Sequence, residues 1–483
     1  MKQNRLTLAA AVAAGLLAAE AQASGILVAR FGGEHGHPTT DNPTAMYYNP
    51  AGLSLGFGTR LYLDGNFAWR SVNYTRDPDA IDNPQDEGYA GSFTPNGAGV
   101  AANSGKASLF NYVASPFAAV TSDFGIKGFG AGIGFYVPFG GQSVWDDGTA
   151  NDDFPGAVNG AQRWWVIEGT IRSLYVTGAA GYEIPNTNLS IGLGVNFVKS
   201  EINTVRARNA DGTDSLRSGE NIKEGRTLVD VSSNDISLAG GIIYRPNDQW
   251  WIGVSYQSQP GFGENKLEGD ARIVSGAAAV DDKKTKVEIF QEMPDVIRLG
   301  ARWRPSPMDE IRLFGSYVRW SVLKEQCVLN AENPDRTCSD AQGNAIGSIG
   351  IIPRHWEDAF DVRAGYSRWL DEDIEIFGGL GFDKSAVPDS TLEPSLLDQD
   401  KATVSLGGRF QLLDKSLAIG ASYTQVIYFT VETSPRGRTT PAGGDRLTDL
   451  SGTPIREAAR SPDAAGKYEQ AVGVFNLNVQ YTF

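Results

Sequence analysis

The last ten residues, VFNLNVQYTF, put Phe475, Leu477, Val479, Tyr481 and Phe483 on one side of an extended chain. Val474, Asn476, Asn478, Gln480 and Thr482 fall on the other. Strand side chains alternate with period two, so this is a strand with one apolar and one mostly polar face, stopping on an aromatic residue. Its free edge needs a partner, and pairing with the first strand of a closed barrel removes both edges. The terminal Phe483 then belongs to an interfacial aromatic girdle, on the periplasmic side. Chains delivered to the outer membrane commonly end this way, and the barrel assembly machinery that reads such a terminus is an expected partner.

The alternation recurs along the chain. In ATVSLGGRFQL, Ala402, Val404, Leu406, Phe410 and Leu412 oppose Thr403, Ser405, Arg409 and Gln411; in DVIRLGARWRP, Ile297, Leu299, Ala301 and Trp303 oppose Arg298, Arg302 and Arg304. Strands are expected over 59–75, 108–122, 126–140, 169–184, 188–206, 228–246, 248–259, 285–305, 309–324, 355–370, 372–386, 399–413, 415–431 and 468–483, fourteen in all. Turns such as IPNTN, RPNDQ and LLDKS alternate with long connections. This predicts an all-β fold: a 14-stranded antiparallel transmembrane barrel over 59–483, with short turns inside the cell envelope. The outer loops are then 76–107, 141–168, 207–227, 260–284, 325–354, 387–398 and 432–467.

The start of the chain supports the same class. Lys2 and Arg5 precede the apolar run LTLAAAVAAGLLAA and the small-residue site AQA, the pattern of a signal peptide over 1–23. No other stretch approaches the ~18 apolar residues of a membrane helix. The 57 Gly, 10 Trp, 17 Tyr and 22 Phe suit amphipathic, aromatic-rich strands. A formal charge of −15 argues against nucleic acid as a partner.

Residues 24–58 break the strand pattern. FGGEHGHPTTDNPTAMYYNPAGLSLG is dense in Gly, Pro, Asn and Thr, and a plug lodged in the lumen is the expected role. His35, His37 and Asp41 have loose metal-ligand spacing, but no fixed third and fourth partner, so hydrogen bonding is expected rather than metal. Neither metal nor cofactor is expected. His355 stands alone at the top of the tenth strand, and no Ser lies in a nucleophile elbow, so an enzyme is not expected. Cys327 and Cys338, the two cysteines of an exported chain, are read as a disulfide.

Several runs resemble the outer-membrane transporters of long-chain fatty acids and hydrocarbons, the FadL/TodX type. NPTAMYYNPAGLS (42–54) resembles the plug signature, with Asn49, Pro50, Ala51 and Gly52 at its core. GAGIGFYVPFGG (130–141), IRSL (171–174), MPDVIRLGARW (293–303), SYVRWSVLK (316–324) and the segment 356–410 are similar to family strands, in order. The resemblance implies passive uptake of hydrophobic molecules by a monomeric barrel set among outer-membrane lipid and lipopolysaccharide. Ligand would pass from outer loops into a lumen pocket above a hatch, then leave sideways through a kinked third strand. Gly130, Gly132, Gly134 and Pro138 are the candidates for that kink, because glycine weakens a ladder and proline cannot donate to it. Small residues facing bulky neighbours is the competing explanation.

Phe154, Trp164, Trp165 and Phe262 are candidate entrance residues, as apolar side chains in loops that should be wet. Trp164 and Trp165 could instead begin the fourth strand within the aromatic belt. Arg172 and Lys324 could supply a cation to a carboxylate head. Most lumen arginines are expected to pair along the wall, as Arg363 with Asp361 or Glu375. A structural or adhesive barrel, or a general porin, is the alternative function; a porin would lack the plug and show a charged constriction.

Overall fold

In the computed structural model, the last strand is held on both sides. It runs antiparallel to the first from Arg60↔Thr482 to Arg76↔Gly466, and to the thirteenth from Leu417↔Tyr481 to Ile427↔Ala471. The Phe483 amide donates to the Thr59 carbonyl at 2.9 Å, finishing the seam. Phe475, Leu477, Tyr481 and Phe483 face outward while Asn476 is buried in the lumen, as the alternation requires. The structure describes residues 30–81, 98–149, 153–209, 213–218, 221–263, 265–274, 283–339, 345–435 and 462–483. The expected leader at 1–23, residues 24–29 and much of loops 76–107 and 432–467 lie outside them.

Fourteen antiparallel staves close the barrel. They are β1 (Thr59–Arg76), β2 (Gly105–Ser122), β3 (Phe129–Val144), β4 (Glu168–Ile184), β5 (Leu189–Arg208) and β6 (Gly225–Asn247), then four interrupted staves. β7 is Trp250–Gln257 continued by Asn265–Val274, and β8 is Lys283–Gln291 continued by Val296–Ser306. β9 is Asp309–Val318 continued by Glu325–Asn330, and β10 is Ser348–Pro353 continued by Ala359–Trp369. β11 (Ile374–Asp383), β12 (Lys401–Leu412), β13 (Leu417–Tyr428) and β14 (Gly466–Thr482) complete the circuit.

The interruptions correct the expected boundaries. Strands expected over 285–305, 309–324 and 355–370 each lose a stretch of ladder, and loops 260–284 and 325–354 each carry strand instead. Register puts the four breaks at one level. Gln257, Val296, Val318 and Ala359 are neighbours in the last row below them. Above, Asn265 pairs with Gln291, and Phe290 with Cys327. Pro260, Pro294 and Pro353 sit in or beside three of the breaks, where a residue without an N–H cannot continue a ladder.

Just below the breaks, Tyr256, Ile297, Tyr317 and Phe360 face outward, as expected for an interfacial girdle. Above them the outward residues are charged: Lys284 and Lys286 pair with Asp270, and Lys266 with Glu268 and Glu288. The upper halves of these staves therefore form a wall beyond the apolar band.

Cys327 and Cys338 are bridged within that wall, with Cα atoms 6.0 Å apart. Cys327 is buried with Leu329 and Ile351. Closing a loop this short contributes about 3 kcal/mol or less. The intact protein should show no alkylatable thiol before reduction. Replacing both cysteines with Ser should speed hydrogen exchange of Glu325–Asn330 and Ser348–Pro353 while leaving β1 and β14 protected. Unchanged exchange there would mean that the bridge holds nothing in place.

Candidate functional site

Residues 30–58 lie inside the barrel and are bonded to walls on several sides. Pro50 opens a short helical turn, Pro50–Leu55, whose first amide is capped by the Asn49 side chain. Asn49 is fully buried, and its amide group donates to the carbonyls of Pro38, Ile242 and Val254 at 2.9, 3.0 and 3.3 Å. Ser54 reaches Ser190 on β5, and the Gly32 amide donates to Asp64 on β1. Glu34 accepts from Ser405 on β12 and pairs with Arg30.

The wall is cut to fit this segment. A methyl group at Gly130, Gly192, Gly241 or Gly253 would come within 2.0–2.5 Å of Leu53, Ala51, Asn49 or Pro38 respectively. At Gly134 it would strike Met46. Gly132 differs, its missing side chain lying against Val120 and Thr121 of β2. Gly52 is itself tight, with the Thr40 carbonyl oxygen where a Cβ would be.

The histidines have polar partners. His35 contacts Glu375 at 2.9 Å, His37 contacts Thr39 at 3.0 Å, and Asp41 pairs with Arg302. Burial, then Arg312 and Arg302, hold His37 well below its ordinary 6.5. Burial opposes ionisation of Glu34, but Arg30, the Ser405 hydrogen bond and Arg312 together lower its carboxyl to about 2.

Above this segment are two cavities. The upper, about 170 Å³, has an aliphatic wall of Ile202, Val229, Ala271, Ile289, Val328 and Ile349, one from each of β5 to β10. Arg70, Tyr428 and Gln470 stand on β1, β13 and β14, Trp165 and Trp356 also line the space, and Arg206, Arg208, Arg354 and Glu393 bring charge to it. The lower cavity, about 120 Å³, mixes apolar side chains such as Phe314, Val426 and Val474 with a denser set of charges. Arg30, Arg298, Arg363 and Lys401 surround it with Asp361 and Asp383, and Tyr428 and Val472 line both cavities. Arg298 is buried, donates to Gln257 and lies 4.4 Å from the Tyr47 ring centre.

β3 departs from regular pairing where the glycine–proline run ends. Its register with β4 shifts between Tyr136 and Phe139, and its ladder with β2 stops at Phe117↔Tyr136. β2 continues upward against β1 as far as Gly105↔Arg76. Beyond Tyr136, β2 and β3 are joined by isolated bonds: Ser115 to the Val137 carbonyl, Asn111 to the Gln142 carbonyl, and the Asp146 amide to the Ser108 carbonyl. β3 thus carries a register shift where the glycine–proline run ends, and Gly130 and Gly134 lie against the bulk of residues 30–58.

Several candidate residues lie elsewhere than expected. Trp164 and Trp165 are not wet: they are 1% and 3% exposed, and Phe154 is 4% exposed. Arg163 and Arg76 hold them down, ion-paired to Glu224 and Asp214 and lying 5.1 and 5.0 Å from the Trp164 and Trp165 ring centres. Of the four, Trp165 lines the cavity, and Phe262 is exposed. Arg172 alternates out of phase with the lumen-facing Tyr175 and Ser173, and pairs with Glu201. Lys324 is exposed and is not part of either cavity lining. His355 sits in the break of β10, with φ 45°. Arg363 pairs with Asp383 and Asp361, whereas Glu375 takes Arg409 and His35. The aliphatic wall was missed because its outer strands lie in runs assigned to loops. Val287 and Ile289 against Lys286 and Glu288 was the available signal.

Two outcomes follow for the seating of residues 30–58. Asn49→Ala strands the Ile242 and Val254 carbonyls without that donor, costing about 1–3 kcal/mol. Hydrogen exchange of residues 38–55 should accelerate while the barrel stays heat-modifiable. A depressed folded value means stability present above the unfolded value and lost as pH falls. Seating should therefore weaken below pH 6.5 through His37, and again from 4.5 towards about 2 through Glu34. Protection of residues 30–58, corrected for intrinsic rate, that stays flat from pH 7.5 to 3 would contradict this.

A structure of a Pseudomonas aeruginosa FadL homologue superposes with a TM-score of 0.70 at 16% identity, covering 96% of this chain and all of that one. The P. putida toluene transporter TodX gives 0.60 at 14% identity, covering 92% and 94%. The Ralstonia pickettii toluene transporter TbuX gives 0.56 at 14%, covering 92% and 94%. At such identity these establish a shared fold. No curated protein matches the sequence. The family model of the outer membrane protein transport proteins (OMPP1/FadL/TodX) matches residues 6–483, and the chain, a closed barrel around a buried N-terminal segment, belongs to that family.

Proposed function

We propose that this protein carries hydrophobic molecules passively into the outer membrane, taking them from outside into the upper cavity and releasing them sideways between β2 and β3. The observation that carries this reading is a cavity with six aliphatic residues on one wall, enclosed by a barrel that a buried segment occupies below. An apolar solute gains by leaving water for such a wall, at about 25 cal/mol per Å² buried. The lower cavity brings Arg30, Arg298, Arg363, Lys401, Asp361 and Asp383 around its space, so continuing downward would strip water from ions for a smaller apolar return than the upper wall gives. The loosely paired stretch above Tyr136 offers a route through the wall at membrane depth.

On this reading residues 24–58 act as a hatch, with Asn49, Pro50, Ala51 and Gly52 locking it to β6 and β7. Gly130, Gly132, Gly134 and Pro138 shape the release strand. The wall is aliphatic, so long-chain fatty acids or alkanes suit it better than flat aromatics. Nothing in this cycle calls for catalysis or a cofactor.

Cells lacking the gene should take up long-chain fatty acids or hydrocarbons more slowly, with sugar uptake unchanged. Equal uptake in both strains, with no paralogue present, would refute transport. Ion conductance of the intact protein in planar bilayers should be small. Deleting Ser24–Leu53 leaves all fourteen staves and should raise it many-fold while hydrophobe uptake falls. High conductance in the intact protein, unchanged by deletion, would instead describe a porin.

A further inference from the structure

Across the upper cavity from its aliphatic wall stands a charge without a counterpart. Arg70, on β1, is 7% exposed and lines the space. Its Nε and Nη2 donate to the Gln470 side chain at 3.3 and 2.8 Å. Among the described residues it has no carboxylate partner, and its Nη1 makes no hydrogen bond. That Nη1 is not sealed off by neighbouring atoms, so it opens onto the cavity. Other buried arginines are neutralised: Arg76, Arg163, Arg302 and Arg312 pair with Asp214, Glu224, Asp41 and Glu310. Within the cavity, Arg354 pairs with Glu393, Arg208 donates to the Ile349 carbonyl, and Arg206 is also engaged.

A chain of neutral amides holds Arg70 in place. Gln470 donates onward to Gln399 at 2.7 Å, and the Gln399 amide group is fixed to the Phe429 and Tyr468 carbonyls. The guanidinium is therefore oriented but not neutralised, and a buried cation in that state favours an anionic ligand. Its place is the lower end of the cavity. Its ladder partner on β14 is Val472, which lines both cavities. On β2 its partner is Asn111, whose side chain donates to the Gln142 carbonyl across the β2/β3 gap. The aliphatic wall lies higher, with Ala271, Ile289, Val328 and Ile349 on the parts of β7 to β10 above the breaks.

We propose that Arg70 receives the head of a long-chain carboxylate, seated head-down with its alkyl tail against the aliphatic wall, and that this guanidinium makes the cavity prefer ionised amphiphiles to neutral hydrocarbons. The inference rests on the transport reading above and deepens it by assigning the charge of the ligand and the residue that reads it. An alkane fills the wall equally well but leaves Arg70 unanswered. An alcohol offers it a neutral acceptor, whose hydrogen bond is about half as strong as a carboxylate's. The acid satisfies both ends of the cavity at once, and its head waits one stave from the release gap.

The test uses the full-length protein in nanodiscs of zwitterionic lipid at pH 8. Radiolabelled palmitate, hexadecanol and hexadecane are the probes, with binding to empty nanodiscs subtracted. Wild-type protein should bind palmitate about ten-fold tighter than hexadecanol, the difference between a charge-assisted and a neutral hydrogen bond. Arg70→Gln should bring the two within about three-fold by weakening palmitate alone. Arg70→Lys keeps the charge but loses the fork, and should weaken palmitate by about three-fold. Equal affinity for acid and alcohol in the wild-type protein overturns the inference without any variant. So does a preference that survives Arg70→Gln, or an Arg70→Lys protein that binds palmitate as tightly as wild type. A preference lost in Arg298→Gln and kept in Arg70→Gln would seat the head in the lower cavity, and overturns it too. If no probe binds above empty nanodiscs, the transport reading itself fails; if hexadecanol and hexadecane bind and palmitate has no advantage, only the role of Arg70 does.

Discussion

The pairing of β1 with β14 is the constraint on which the rest depends. In hydrocarbon an unpaired backbone amide or carbonyl has no water to turn to, so a sheet that crosses a membrane must close on itself. Seventeen residue pairs, from Arg60↔Thr482 to Arg76↔Gly466, make that closure. Closure with fourteen staves also creates an interior too wide for wall side chains alone to fill. The molecule fills it in layers: residues 30–58 low down, a cavity dense in charged side chains above them, and one with an aliphatic wall higher still.

Filling a lumen with polypeptide raises its own difficulty, since that backbone also needs hydrogen-bond partners. The solution combines removed side chains with donated bonds. Glycines on β3, β5, β6 and β7 let the buried segment lie against the wall, and Asn49 ties it to the carbonyls of β6 and β7. Charged groups that would be costly alone are matched, Glu34 with Arg30 and Asp41 with Arg302. Above, where the staves rise past the apolar band, the pattern inverts. Lys284, Lys286 and Asp270 face out, while Val287, Ile289 and Ala271 make the inner aliphatic surface.

The architecture was legible in the sequence, for a physical reason. Period-two alternation is a local property, and it was strong in the fully paired staves: β12 was expected over 399–413 and is Lys401–Leu412. It misled where a stave was interrupted. Around Pro294 a single run was expected, because residues on either side keep their alternation and only the pairing is lost. Apolar residues in loops were read as wet, and Trp164 and Trp165 proved buried under Arg163 and Arg76. A sequence does not show that a distant Glu224 or Asp214 will pin a loop down.

The sequence by itself determined the class of fold, the strand count, the bridge between Cys327 and Cys338 and the family, because alternation, turn chemistry and motif order are carried by neighbouring residues. Only the tertiary structure decided which residues face one another across the lumen. Arg172 pairs with Glu201 away from the interior, Ile202 and Ile349 share one cavity wall, and Trp320 meets Phe139 from a stave six positions away. Such contacts are set by closure and register, which accumulate around the whole circuit and are not encoded at any single position.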